Sequence, residues 1–194
     1  MSAKANFGLI VLQSDETIEH ELRRLLPGAE VGIYTSRVPS GSDVSTESLV
    51  QMETTLSGAA ELLPPPINFD VVGYGCTSGT SVIGPDNIAK LINYGCSVKH
   101  VTEPVSALIA ACRALGVRKI AFLSPYVKDV SQTLRMLLAK NGLQTVVFGS
   151  FNEGNEAKVA RITGQSITDA ALSLVKGSHL SLIHISEPTR HSII

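Results

Sequence analysis

A single cysteine stands at the start of a polar, glycine-rich segment of this sequence. Cys76 lies in GYGCTSGT, residues 73–80, directly after an apolar run and between Gly75 and Thr77. The thiolate is the nucleophilic form of cysteine, and its pKa falls where backbone N–H groups or a helix N-terminus face the sulfur. Such a thiolate suits two reactions of small carboxylates: abstraction of a proton next to the carboxylate, or addition to an activated double bond. The alternative is structural, because a cysteine at a strand end also packs as a small buried hydrophobe.

The residues that follow Cys76 are suited to hold the carboxylate of such a substrate. Gly75 and Gly79 allow the backbone to approach a ligand closely, and the N–H groups of residues 77–80 predict an anion-binding turn. Hydroxyl groups beside them add hydrogen-bond donors; they belong to Thr77, Ser78, Thr80 and Ser81.

The remaining candidate residues carry weaker signals. The three cysteines show neither a CxxC motif nor metal-ligand spacing, so no metal site is expected. Cys96 follows a predicted helix end and Cys112 lies inside a predicted helix, which favours packing roles for both. A Cys–His pair with His20 or His100 is an open alternative. The motifs GxxxxGK and GxGxxG are absent, so nothing supports nucleotide phosphate binding.

The elements that must position these residues alternate between strands and helices. This alternation is typical of an α/β fold, a parallel sheet with helices on both faces. A polar loop is predicted over residues 35–45, and Ser14 or Asp15 is predicted to cap the first helix. The predicted strands cover 7–12, 29–34, 69–75, 97–104, 118–125 and 143–151, and the predicted helices cover 15–28, 46–63, 85–95, 105–116, 130–142 and 167–177.

The strand–helix pattern restarts near residue 117, which predicts two α/β halves. The first half covers residues 1–116 and the second, incomplete half covers residues 117–179. In parallel sheets, ligands bind beyond the carboxyl ends of the strands. Cys76 falls at such an end, and so do the loop after the first strand, with Gln13 and Ser14, and the segment 124–126.

The last fifteen residues, 180–194, depart from this pattern. LSLIHISEPTR, residues 180–190, resembles the translation of a transposase adapter used in sequencing-library preparation. The interpretation is that residues 180–194 are an adapter-derived tail, to be left out of fold reasoning. The second half would then be truncated and would lack the strand expected after the helix at 167–177. The alternative is a genuine final strand over SLIHIS.

Composition excludes several classes of partner. The net charge is −1 with no Lys/Arg block, which argues against nucleic acid or an anionic membrane surface. The sequence is 44% hydrophobic, enough for a core, and its first apolar run is too short for a signal peptide or a membrane span. With free thiols, this pattern predicts a cytoplasmic protein.

The sequence resembles the aspartate/glutamate racemase superfamily. The resemblance rests on GYGCTSGTSVIG, the strand FDVVGYG before it and the segment EPVSALIAACRALGVRKIAFLSPY after it, and it covers about residues 7–165. The maleate cis-trans isomerases are most similar, with arylmalonate decarboxylases and an ectoine-utilisation subgroup nearby. The resemblance implies two Rossmann-like halves with parallel sheets related by a pseudo-twofold, a site in the cleft between them, no cofactor, and a homo-oligomer.

The resemblance also implies roles for individual residues. Cys76 matches the first catalytic cysteine, which adds to the alkene in the isomerases and exchanges an α-proton in the racemases. A second cysteine of the family falls in or beyond the tail, so no residue of this chain is assigned to it. Decarboxylases carry Gly at the first position, so Cys76 argues against plain decarboxylase chemistry. The expected substrate contacts are Thr77, Ser78, Gly79, Tyr126, Gln13, Ser14, and Asn152 or Asn155.

Together these observations predict a cofactor-independent cysteine isomerase or racemase of small mono- or dicarboxylates, most similar to maleate isomerase. An arylmalonate-type decarboxylase on the same fold is the first alternative. A non-catalytic carboxylate binder, or an inactive truncated fragment, is the second.

Overall fold

Seven strands form two separate sheets in the computed structural model, which describes residues 4–26, 30–41, 43–180 and 182–185. The strands are β1 (Ala5–Leu12), β2 (Val31–Val38), β3 (Phe69–Tyr74), β4 (Val98–Thr102), β5 (Lys119–Tyr126), β6 (Gln144–Glu153) and β7 (Ile183–Ile185). The first sheet has the order β2-β1-β3-β4 and the second has the order β6-β5-β7. All neighbouring strands in both sheets are parallel. This confirms the predicted α/β fold with two parallel sheets.

The most completely buried strands are β1 in the first sheet and β5 in the second. Residues 9–12 of β1 are all buried, and so are residues 120–126 of β5. A strand that lies between two parallel neighbours and is covered on both faces reads as a continuous apolar run, because both sides of its pleat must be buried. That is why these two runs could be recognised in the sequence.

Eight helices connect and cover the strands in the described part of the chain. None of them is long and apolar enough to cross a bilayer. Side chains cap several of them; Ser45 and Ser48 form a capping box, and Glu103 accepts hydrogen bonds from two backbone N–H groups of the helix that follows it. The helices are α1 (Ile18–Leu25), α2 (Thr46–Glu61), α3 (Thr77–Ile83), α4 (Pro85–Gly95), α5 (Pro104–Ala114), α6 (Lys128–Lys140), α7 (Glu156–Val159) and α8 (Gly164–Val175).

The main hydrophobic core joins the two sheets. It contains Ile10 and Tyr74 of the first sheet together with Tyr126, Val130 and Val159 from later in the chain. Helix α5 packs in a second cluster, against α6 and the second sheet. The carboxyl ends of β3 and β5 therefore meet the same core. The boundary at residue 116 stays a prediction.

Several predicted boundaries were wrong for physical reasons. The loop expected from residue 35 begins only after β2, because β2 pairs with β1 along its full length, from Ala5↔Val31 to Leu12↔Val38. Helix α1 begins at Ile18, not beside Ser14, since Asp15 accepts hydrogen bonds from the N–H groups of Thr17 and Ile18 and holds the preceding turn.

The turn predicted after Cys76 is instead the short helix α3. Its polar residues stabilise the helix from within: the Thr80 hydroxyl donates to the carbonyl of Cys76 at 2.7 Å, and the Ser81 hydroxyl donates to the carbonyl of Ser78 at 2.8 Å. The helix α7 was not predicted. It is only one turn long and begins where Asn155 accepts a hydrogen bond from the N–H of Lys158.

A short strand, β7, follows α8 and lies within the predicted tail, while truncation of the second half stays a prediction. Strand β7 pairs with β5, and Ile183 and Ile185 pack with the cluster that contains Leu123 and Ile167. His184, on the opposite face, stacks on Phe122 with a centroid distance of 5.7 Å. The two isoleucines alternate with a histidine, and this period of two residues suits a strand whose two faces meet different neighbours. The adapter origin of residues 180–194 stays a prediction, and residues 181 and 186–194 lie outside the described part.

Candidate active site

Cys76 lies at the carboxyl end of β3, where it is the N-cap of α3. Its side chain is only 4% exposed. The sulfur accepts a hydrogen bond from the backbone N–H of Gly79 at 3.2 Å and lies 3.5 Å from the hydroxyl of Ser78. Two polar donors therefore face a thiol that is otherwise enclosed by the core.

The surroundings of Cys76 act on its pKa in opposite directions. Burial raises the pKa of the thiol above its ordinary value, because a buried thiolate loses hydration. Hydrogen bonds from Ser78 and from the Gly79 N–H lower the pKa, while the negative charge of Glu156 raises it further. Burial dominates, so the thiol is largely protonated at neutral pH and the donors partly offset its desolvation.

The three residues after Cys76 have different environments. Ser78 is buried with its hydroxyl beside the sulfur, and Gly79 donates its N–H to the sulfur. Thr77 is half-buried. The N–H groups of Thr77 and Ser78 are at the first two helix positions, so they have no acceptor inside the helix. They are the backbone groups suited to an anionic ligand. The hydroxyls of Thr80 and Ser81, predicted to join them, instead donate to helix carbonyls.

Tyr126 ends β5 and packs in the same core cluster as Cys76. The residue is buried, and its backbone is held by three serines. Its carbonyl accepts hydrogen bonds from Ser150 at 2.6 Å and Ser131 at 3.0 Å, and its N–H donates to Ser124 at 3.2 Å. The predicted site residue Tyr126 is thus brought by the second sheet into the cluster that holds the cysteine.

Gln13 and Ser14 follow β1, the neighbour of β3 in the first sheet. The Gln13 side chain is exposed, and the backbone N–H of Gln13 donates to the carbonyl of Val38. The hydroxyl of Ser14 lies 3.2 Å from that of Ser40 and is directed to the β2–α2 loop. Both residues are at the predicted edge of the sheet, and their contact with a substrate stays a prediction.

The two candidate asparagines differ in position. Asn152 is exposed, with a left-handed φ of 55°. Asn155 is half-buried, and it forms an antiparallel bridge with Asp43 of the first half. The structure therefore favours Asn155 over Asn152 as a residue at the junction of the two halves. Its side-chain oxygen caps α7 by accepting from Lys158.

Two residues near Cys76 were missed in the sequence. Tyr74 is 1% exposed, and its pKa is raised first by burial and then by the Cys76 charge. Its position two residues before Cys76 was a usable signal, since residues i and i+2 of an extended chain face the same side. Glu156 gave no local signal, because only the packing of α7 on the first half brings it close. Burial, and then the charge of Asp15, raises the pKa of Glu156.

Two spaces lie beside Met52, whose methyl group would be 3.2 Å from a β-carbon placed on Gly79. A cavity of about 10 Å³ lies between Leu12, Met52 and Glu156, and this is about the size that holds one water molecule. A groove of about 250 Å³ on the surface, lined by Pro39, Gln51 and Met52, shares Met52 with it. A larger cavity, about 400 Å³, lies away from the cysteine, at the amino ends of β5 and β6.

The comparisons with known proteins fit this geometry. A family model described as arylmalonate decarboxylase matches residues 95–185. The maleate isomerase of Nocardia farcinica is 27% identical over 181 residues, covering 86% of this chain and 70% of that protein. The chain is similar to maleate isomerases and arylmalonate decarboxylases. The resemblance drawn from the sequence is thereby confirmed.

Solved structures of these relatives share the fold. One is a cysteine-to-serine mutant of the Nocardia farcinica maleate cis-trans isomerase with a covalently bound succinylcysteine intermediate. It has a TM-score of 0.78 at 24% identity and covers 90% of this chain and 75% of its own. The maleate isomerase of Pseudomonas putida S16 also has a TM-score of 0.78, at 19% identity, covering 97% and 80%. At this level of identity the likeness concerns the fold.

Proposed function

We propose that this chain is a cofactor-independent cysteine isomerase that converts maleate, or a closely related cis-alkene dicarboxylate, into its trans isomer. The observation that carries the proposal is the placement of Cys76. It is a buried thiol at the end of a parallel strand, with Ser78 and the Gly79 N–H directed at its sulfur. The similarity to maleate isomerases, one of them solved with a covalent succinylcysteine, supports the same assignment.

The reaction needs one thiolate and no external reactant. The Cys76 sulfur donates an electron pair to one alkene carbon, forming a C–S bond, while the π pair moves to the other carbon and is delocalised into its carboxylate. The bond between the two carbons is now single and rotates. The electron pair then returns to re-form the double bond, the C–S bond breaks, and the trans product leaves with the thiolate restored.

The other predicted site residues are assigned to substrate binding. The N–H groups of Thr77 and Ser78 bind one carboxylate, supported by their position at the start of α3. Tyr126 covers the substrate from the second half, and Asn155, ahead of Asn152, contacts the second carboxylate. Gln13 and Ser14 line the pocket at the end of β1.

Conversion of maleate to fumarate, followed by proton NMR, tests the proposal. We expect turnover by the unaltered chain and a loss of at least about a thousandfold in Cys76→Ala, as is usual when a nucleophile is removed. The matched control is Cys96→Ala, since Cys96 is a half-buried thiol at the end of α4. Equal rates for Cys76→Ala and the unaltered chain would contradict the proposal.

A decarboxylase is the second candidate, favoured by the family model over residues 95–185. It predicts release of CO₂ from an arylmalonate at a rate that does not depend on Cys76. A non-catalytic binder or inactive fragment predicts a rise in melting temperature with maleate and no product. The same set of Cys76 variants separates all three outcomes.

Cytoplasmic location and homo-oligomeric assembly are part of the proposal. Light scattering on the purified chain tests the assembly, and a monomer at all concentrations would contradict it.

A further inference from the structure

We propose that Tyr74 is a positioning residue that stabilises the Cys76 thiolate by donating a hydrogen bond to its sulfur as a neutral phenol. The inference rests on the proposed function in one respect: it takes the thiolate as the reactive form of Cys76. It assigns a role to a residue that lies outside the GCTSG segment, residues 75–79.

The first observation is that the two side chains converge on one point. Tyr74 and Cys76 flank Gly75 at the end of β3, and both side chains lie over the backbone of Gly79. A β-carbon placed on Gly79 would lie 2.5 Å from the Tyr74 hydroxyl oxygen and 3.0 Å from the Cys76 sulfur. The phenol oxygen and the thiol therefore share one small space that only a glycine at position 79 leaves open.

The second observation is that the phenol has a poor acceptor while the thiol is neutral. Tyr74 is 1% exposed, and buried phenols ordinarily have a good hydrogen-bond partner. Its hydroxyl lies 3.9 Å from the Met52 sulfur, and a thioether is a weak acceptor. Ionisation of Cys76 creates a strong acceptor beside this donor. The phenol is thus better satisfied in the thiolate state than in the thiol state.

The third observation is that the phenol stays protonated. Burial, and then the charge of Cys76, raises the pKa of Tyr74 well above its ordinary range. The other titratable groups that act on this pair are Tyr126, at the end of β5, and Glu156, on α7. The Glu156 charge opposes the thiolate, so Tyr74, Ser78 and the Gly79 N–H are the groups that favour it.

The test measures the thiol directly, without a substrate. In a Cys96→Ala/Cys112→Ala background, Cys76 is the one remaining thiol of the sequence. The rate of alkylation by iodoacetamide and the thiolate absorbance at 240 nm are followed against pH. In Tyr74→Phe we expect the midpoint to move to higher pH and the alkylation rate at pH 7 to fall about tenfold, the loss of one charge-assisted hydrogen bond.

Two further variants keep the result specific. Tyr94→Phe removes the same hydroxyl from a tyrosine that is 81% exposed on α4, and we expect no change in the midpoint. Met52→Leu removes the thioether that competes for the Tyr74 hydroxyl. We expect the titration midpoint of the Cys76 thiol in this variant to stay the same or to move to lower pH. This variant tests the inference even if Tyr74→Phe folds poorly. A folded Tyr74→Phe with an unchanged midpoint, or a higher midpoint in Met52→Leu, would overturn the inference. If the midpoint shifts in Tyr74→Phe but the unaltered chain does not turn over maleate, the inference about Tyr74 stands and only the proposed reaction is rejected.

Discussion

The backbone N–H of Gly79 donates a hydrogen bond to the Cys76 sulfur across 3.2 Å, in the first turn of the helix that the cysteine caps. The same glycine has no room for a side chain. An added β-carbon would lie 2.5 Å from the Tyr74 hydroxyl and 3.2 Å from the Met52 methyl group, well inside contact distance. Gly79 thus holds the thiol by its backbone and admits the neighbouring phenol by its lack of a side chain.

Gly79→Ala therefore should impair both folding and catalysis. We expect the free energy of unfolding to fall by about 1–3 kcal/mol, the usual cost of overpacking a core, and isomerase activity to fall with it because the thiol is displaced. Urea unfolding and maleate turnover measure the two effects. Gly58→Ala is the control: it lies in α2 with nothing within 4 Å of the new methyl group. There we expect a gain of about 0.5–1 kcal/mol from helix propensity. Equal stability of the two variants would contradict the close packing at Gly79.

The pH dependence of the reaction should reflect the raised pKa of Cys76. Because burial holds the thiol in its neutral form, the thiolate fraction rises about tenfold per pH unit through neutrality. We expect kcat/KM for maleate to rise with the same slope and to keep rising above about pH 8.5, the ordinary range of a free cysteine. If kcat/KM instead reached a plateau below pH 8, the Cys76 thiol would ionise below its ordinary range, and the prediction of a raised pKa would be contradicted.

Glu156 should slow the reaction at neutral pH, since its carboxylate raises the pKa of the Cys76 thiol. We expect Glu156→Gln to increase the alkylation rate of Cys76 at pH 7 by about two- to fivefold, the effect of removing one partly screened negative charge. Glu61→Gln, on the exposed end of α2, is the control and should leave the rate unchanged. A slower reaction in Glu156→Gln would instead make this carboxylate a base that assists ionisation.

The sequence predicted the parts of the site that depend on local pattern. Cys76 follows a buried strand, and the carboxyl end of a parallel strand is where a ligand site forms, so its position needed no tertiary information. Tyr126 stands at the end of β5, in the segment 124–126 that the strand pattern placed at the same edge. Tyr74 carried an equivalent signal, by spacing, that was not used.

The remaining features depend on contacts between distant segments. Glu156 approaches Cys76 only because α7 packs against the first half. The extent of β2 follows from pairing with all of β1 and not from its own polar residues, among them Thr35, Ser36 and Arg37. Helix α3 has a sequence typical of a turn, and it is held in helical form by side chains that bond to its own backbone. Propensity alone predicts none of these.

The last prediction concerns His184, which tests whether β7 docks as described. Burial lowers the pKa of His184 to about 4, because the imidazolium would lose its hydration against Phe122. A histidine whose pKa falls from 6.5 in the unfolded chain to about 4 in the folded chain contributes stability that is present above pH 6.5. That contribution is lost as the pH falls toward 4. It amounts to on the order of 3 kcal/mol.

Urea unfolding at pH 7 and pH 4.5 measures this contribution. We expect His184→Phe, which keeps a ring against Phe122, to remove most of the difference in stability between the two pH values. The control His20→Gln, on the exposed side of α1, should retain it. If His184→Phe and the unaltered chain lose equal stability on acidification, then His184 is hydrated in solution and β7 does not pair with β5. If the difference disappears as expected, β7 pairs with β5 in solution and the segment resembling an adapter adds a strand to the second sheet, whatever its origin.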